Sequence, residues 1–310
     1  MATNPLFRLV ALGSLALSAA ALPASRTILA AGSPAPEQRT VNQQRIVISV
    51  VDKQGAPVAT LTPADLTIRE DGNAREVLAV APATDAMQIA LLVDTSTAAT
   101  RMIPDLRDSL KAFSTAIWAR SPETQIALYT FGDRPTLDAD FSTSAVALNR
   151  RIDRLFAASS AGATFIDAVV EAAGALRARK AARPVIVAFV DENGPDFSSR
   201  RHDHASDAAA AARASLWVVV RQGFGAAMDS PEHRERSMVV GDVTTGSGGR
   251  SSMVFDGTAL KVRFADIATQ LLAQFQVTYS RPDSLIPPER IDVKLTDPAL
   301  RLAAPRWTGK

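Results

Sequence analysis

Cysteine is absent from the chain, which excludes a disulfide framework, lipid attachment through a thiol and thiol chemistry. Histidine is scarce. The three present are His202, His204 and His233, all in one late polar region, so no imidazole stands near an earlier candidate nucleophile in the sequence. Neither sign of charge dominates: 34 Lys and Arg oppose 32 Asp and Glu, for a net charge of +2. Without an extended basic run the chain has no footprint for a polyanion, and nucleic acid is not an expected partner. The Gly-x-Ser-x-Gly, His-Glu-x-x-His and Gly-x-x-x-x-Gly-Lys patterns are also missing, which argues against an enzyme built on those chemistries.

Long apolar runs are missing too, except near the N-terminus. There Arg8 precedes an apolar segment, Leu9 to Leu22, rich in small residues and too short for a comfortable membrane span. It reads as a secretion signal occupying 1–31, with Ala24 and Ala31 as alternative ends for cleavage; an uncleaved N-terminal anchor is the other reading of the same segment. The expected location is secreted or periplasmic, with no membrane span once the signal is removed. Hydrophobic residues make up 47% of the 310 and charged residues 21%, ordinary for a globular protein with a full core.

Past a Pro-, Gly- and Ala-rich linker at 32–44, three short strand patterns follow without a helix between them. These are Arg45 to Val51, Leu66 to Glu70 before the turn signal Asp71-Gly72, and Glu76 to Val80. They make a small antiparallel unit at 45–84, which needs something to pack against. From Met87 the rhythm changes to strands alternating with helices. Strands are expected at 88–93, 125–131, 185–191, 216–220 and 252–255, with a short edge strand at 136–141. Apolar residues at helical spacing mark helices through Ile103–Ile117, Leu148–Leu155, Ile166–Leu176, Ala205–Ala214 and Leu260–Phe275. The expected fold is α/β, a doubly wound, mostly parallel sheet over 85–282. Alternating patterns in Gln276 to Ser280 and Arg290 to Leu295 predict that the tail, 283–310, packs with the N-terminal β unit. Gln222 to Arg236 reads as a polar loop, and His202-Asp203-His204 as a solvated polar segment rather than a metal site. Asp138 and Asp140 read as surface acids, and Trp118, Trp217 and Trp307 as packing residues.

The informative stretch is Gln88 to Thr97, where the apolar run Ile89-Ala90-Leu91-Leu92-Val93 ends in Asp94-Thr95-Ser96-Thr97. A run buried on both faces belongs at the centre of a parallel sheet, and ligands bind beyond the carboxyl ends of such strands. Gly162-Ala163-Thr164 and the end of Val185 to Asp191 could complete the same rim. Two nearby carboxylates repel unless a cation lies between them, and hydroxyls with carboxylates are the hard oxygen donors that suit Mg²⁺. A helix beginning after Thr164 would also aim its N–H groups at an anion bound there.

Asp94-Thr95-Ser96-Thr97-Ala98, Gly162-Ala163-Thr164 and Val190-Asp191 together resemble the three loops of the metal-ion-dependent adhesion site of von Willebrand factor A-type domains. Val50 to Val58, Leu61 to Leu66, Glu70-Asp71-Gly72 and the tail from Arg290 to Trp307 are similar to the flanking parts of bacterial exported relatives. The resemblance implies a non-enzymatic adhesion module. Ser96 and Thr164 would bind Mg²⁺, Mn²⁺ or Ca²⁺ directly, Asp94 and Asp191 would hold it directly or through water, and a carboxylate of a partner protein would complete the coordination. Ala98 stands where the family has its second Ser. The alternative is a metal-free scaffold with a decayed site, in which the same surface binds by shape and hydrogen bonds. A hydrolase using the ion as a Lewis acid finds little support.

Overall fold

A computed structural model describes residues 42–159, 161–224, 230–282 and 288–307. The expected secretion signal lies outside these residues, as does nearly all of the expected linker; Asn42 already begins the first strand. The central sheet is built from β5 (Met87–Val93), β6 (Gln125–Thr130), β7 (Thr136–Ser142), β8 (Arg183–Asp191), β9 (Ser215–Arg221) and β10 (Ser251–Val254). Their order is β10-β9-β8-β5-β6-β7. All neighbours are parallel except β6 and β7, which are antiparallel.

The two-residue period of a strand sorts its side chains into two cores. Ile89, Leu91 and Val93 of β5 and Val185, Val187 and Phe189 of β8 join one cluster. Ala90, Leu92, Ile186, Ala188 and Val190 join the other. The first core is closed by α1 (Ile103–Arg120), α2 (Ala145–Ile152) and α7 (Leu260–Leu272), through residues such as Leu106, Phe113, Ile152 and Phe264. The second is closed by α3 (Phe165–Ala178) and α4 (His202–Ala212), through residues such as Ile166, Val169 and Ala209. Alanines on α4 let that helix lie close to the sheet, as a thin helix face allows.

Gln222 to Arg236 is not a loop throughout. Ser230 accepts a hydrogen bond from the His233 N–H, Pro231 occupies the first helical turn, and α5 runs from Pro231 to Met238. This is a complete N-cap signal, although the segment lacks the apolar periodicity by which the other helices are read. The helix continues through a π-helical turn, Val239–Val243, into the short α6 (Thr244–Gly246). Likewise His202 to His204 form the first turn of α4 rather than a loop.

The flanking strands are β1 (Asn42–Val51), β2 (Leu66–Glu70), β3 (Asn73–Arg75), β4 (Val77–Pro82), β11 (Phe275–Arg281), β12 (Ile291–Leu295) and β13 (Arg301–Ala303). They form two sheets, ordered β13-β1-β11-β4 and β12-β2-β3, around a third core containing Ile48, Val50, Ile68, Val277, Tyr279 and Ile291. Both sheets therefore mix strands from the two ends of the described chain. Glu70 is fully buried there and accepts from Arg75 Nε at 2.9 Å, Tyr279 Oη at 2.7 Å and Arg281 Nε at 2.8 Å. Burial pushes its carboxyl upward, but these hydrogen bonds prevail and hold it below its usual range. Arg183, at the base of β8, donates to Gln274 Oε1 and to the Ala83 carbonyl, while Gln274 donates to Ser49 Oγ. The buried guanidinium thus joins the amino end of the central sheet to the flanking strands.

Candidate functional site

Asp94 follows β5 directly, and Asp191 and Arg221 are the last residues of β8 and β9. Three adjacent parallel strands therefore deliver three charged side chains to one rim. Asp191 and Arg221 are register partners, so their side chains leave the sheet at the same level.

Each oxygen of the Asp94 carboxylate accepts an N–H from within the rim. Its Oδ1 accepts the Ser96 N–H at 2.8 Å and its Oδ2 accepts the Asp191 N–H at 3.0 Å. Asp191 Oδ1 accepts both the backbone N–H and the side-chain amide of Asn193, at 3.0 and 2.9 Å. Its Oδ2 receives the Arg221 guanidinium at 2.8 Å. Both carboxylates are fully buried. For Asp94, burial pushes the carboxyl up to about 6; the N–H donors and the neighbouring Ser96 hydroxyl oppose this, and the negative charge of Asp191 adds to it.

Thr164 is 5% exposed. Its N–H and hydroxyl both donate to the Phe131 carbonyl, at 2.9 and 3.3 Å, which fastens the second loop to the end of β6. Ser96 Oγ is buried and has no well-directed hydrogen bond. A Cβ added to Gly194 would lie 2.9 Å from Ala98 Cβ and 3.8 Å from Ser96 Oγ. The Ala98 methyl, standing where the resemblance called for a second serine hydroxyl, therefore approaches the Gly194 backbone closely.

Asp94, Ser96 and Asp191 are joined by hydrogen bonds, and Thr164 is tied to Phe131, whose N–H bonds the Val93 carbonyl. The expectation of Mg²⁺, Mn²⁺ or Ca²⁺ on Asp94, Ser96, Thr164 and Asp191 is overturned. Among the described residues no group of three or more His, Cys, Asp or Glu is placed to hold a metal ion. The donor set explains why: the acid oxygens already accept N–H bonds, and Ala98 supplies no oxygen. A guanidinium also neutralises Asp191, so the repulsion that a metal would relieve is answered by Arg221.

The start of α3 is closed in the same way. Asp196 Oδ2 accepts from the Phe165 N–H, and Ser198 Oγ from the N–H groups of Ile166 and Asp167. These donors are not directed at an anion on the rim. His202, considered above with His204, is tied to Glu235 Oε2 at 2.7 Å.

Two functional positions escape a reading of motifs alone. Arg221 could have been found by position, since it ends its strand as Asp191 does. Arg236 could not: its side chain is buried and donates to the carbonyls of Gly194 and Glu192, bracing the third loop from α5. The loops also carry an exposed aromatic rim. Phe156, Phe197 and Phe224 are 73%, 65% and 66% exposed. Phe156 precedes Ala158, whose N–H bonds the Thr95 carbonyl; Phe197 N–H bonds the Ala163 carbonyl; and Phe224 follows Gly223, which bonds Glu192. Phe197 covers Gly162 so closely that a Cβ there would fall 2.4 Å from the ring.

Residues 89–194 match the family model described as the von Willebrand factor type A domain. No curated protein matches the chain. Among solved structures, the chain is similar to the VWA domain of SpRpn10, at 16% identity over 58% of this chain and 94% of that one, TM-score 0.43. It is also similar to proximal thread matrix protein 1 from the mussel byssus, at 18% identity over 66% of this chain, TM-score 0.48. The chain spans 49% of that protein's length. A third similarity is to a von Willebrand factor type A protein from Catenulispora acidiphila, at 11% identity over 86% of this chain and 75% of that one, TM-score 0.47.

The Asp94 environment sets a pH dependence. The folded state keeps a proton on Asp94 up to about pH 6, whereas an ordinary Asp loses it near 3.8. Stability from this group is therefore fully present below about pH 4 and declines as pH rises to about 6, by about 3 kcal/mol. Urea unfolding from pH 4 to 7 should show the wild type losing about that much relative to Asp94→Asn. Parallel curves would contradict the assignment.

Proposed function

We propose that the von Willebrand factor A-type domain of this chain is a non-enzymatic protein-binding module that works without a divalent cation. The observation that carries this reading is the Arg221–Asp191 ion pair, together with Ala98 in place of an oxygen donor. A rim whose acids are already satisfied has no open metal coordination position to offer a partner's carboxylate. Its loops are instead pinned to one another: Thr97 N–H to the Ala161 carbonyl, Ala158 N–H to the Thr95 carbonyl, and Thr164 N–H to the Phe131 carbonyl. Pinned loops present Phe156, Phe197 and Phe224 with little ordering left to be lost on binding, and aromatic anchors on a rigid surface suit protein recognition.

The test is capture of partners by the tagged full chain from the native envelope fraction, with EDTA or with added Mg²⁺. The same partners should be recovered in both, and the triple variant Phe156→Ser, Phe197→Ser, Phe224→Ser should recover at least tenfold less. Partner recovery abolished by EDTA would contradict the proposal.

We further propose that the protein is exported, on the strength of the apolar segment Leu9 to Leu22. Among the described residues no helix is long and apolar enough to cross a membrane. N-terminal sequencing of the protein from its native host should begin at Ser25 or Gly32. An N-terminus at or next to Met1 would contradict signal removal.

A further inference from the structure

All three sheets present an edge strand to one groove, which none of the rim loops lines. The edge strands are β10 of the central sheet and β12 and β13 of the flanking sheets. The groove has a volume of about 630 Å³ and is lined by the starts of β10 and β12 and by the chain from β13 to Arg306. That volume is in the range of ligand sites. The adjoining residue of β10, Ser251, is level with Val218 midway along β9, whereas Asp94 and Asp191 lie at the carboxyl ends of their strands.

The charge of the groove is one-sided. Arg250, Arg290, Lys294 and Arg306 line it against a single acid, Asp292, which Arg290 pairs at 3.0 Å. Lys294 and Arg306 are exposed and form no ion pair among the described residues. Arg250 donates through Nη2 to the Arg301 carbonyl, while its Nε is buried and has no partner.

The backbone of β12 adds an independent feature. The Arg290 carbonyl accepts from Asp71 at the end of β2, whereas the Ile291 N–H turns the other way, to the Arg306 carbonyl. Hydrogen-bonding direction alternates along a strand. The backbone N–H and C=O of Lys294 therefore turn toward β2, its register neighbour there being Thr67, and the Val293 N–H and C=O point out of the sheet edge on the side of the groove. An outward donor and acceptor on an edge strand are a template for one more strand.

We propose that this groove binds an extended acidic segment of a partner protein, added as a strand alongside β12. Its backbone pairs with Val293, and its carboxylates meet Lys294, Arg306 and Arg250. A free small anion would use the cations but not the strand edge; a peptide uses both, and the excess positive charge selects acidic side chains. The site is separate from the Phe-bearing rim and does not depend on the function proposed for it.

Fluorescence anisotropy of a labelled Glu-Val-Glu-Val-Glu-Val peptide, titrated with the full chain, tests the proposal. Saturable binding is expected, with a Lys-Val-Lys-Val-Lys-Val peptide failing to bind. Charge reversal at the two exposed positions, Lys294→Glu with Arg306→Glu, should weaken binding at least tenfold. Val293→Pro removes the outward N–H without touching a ladder bond to β2. It also trims a side chain packed on the third core, so its fold is checked by circular dichroism, and the folded variant should bind comparably weakly. No saturable binding would overturn the proposal, as would indifference to the charge reversal. Binding that persists in a folded Val293→Pro variant and is competed by heparin or inorganic phosphate would mark a general anion site, and would overturn it as well.

Discussion

The carboxylate of Asp94 holds the rim together. It accepts one N–H from its own loop and one from the last residue of the adjacent strand, so a single buried side chain fixes where two loops begin. Burying an anion is costly unless its acceptors are filled, and here the backbone fills them. Asp191 then brings a second charge to within the same few ångströms, and the register of β8 against β9 places Arg221 beside it. The strand ends of the central sheet thus meet the charge of Asp191 with Arg221 and the acceptors of Asp94 with backbone N–H groups.

This balance determines what kind of surface the rim can be. A cation site needs acid oxygens that are free to coordinate; this rim has spent them on N–H groups and a guanidinium. Thr164 gives its hydroxyl to the Phe131 carbonyl, and the Ala98 methyl approaches Gly194. What faces solvent around this closed centre is aromatic, three phenylalanines on loops whose backbones are tied to one another. The flanking strands serve a different role. They join the two ends of the described residues around the Glu70 cluster and are fastened to the base of β8 by Arg183.

Much of this was legible in the sequence because burial leaves a plain signature. Ile89 to Val93 and Val185 to Val190 are apolar on both faces, and only a central parallel strand needs that. The strand-end acids Asp94 and Asp191 were legible for the same reason, since each ends such a run, whereas Thr164 stands at the start of α3 and follows no strand. The state of the site was less legible. Whether Asp191 faces a metal or a guanidinium depends on Arg221, thirty residues later in the chain and beside it in space, and motif reading does not look there. The start of α5 was missed because Pro231 to Met238 has no apolar stripe. Its evidence is a capping hydrogen bond from His233 to Ser230, and the segment is held instead by Arg236 reaching into the third loop.

The central claim is that the rim's charge is settled without a metal ion. Paramagnetic broadening by Mn²⁺, followed residue by residue in the amide NMR spectrum of the full chain, addresses it directly. At Mn²⁺ concentrations up to about a millimolar, the signals of Ser96, Thr164 and Asp191 should broaden no more than those of exposed surface residues. Selective loss of these three signals at micromolar Mn²⁺ would contradict the account.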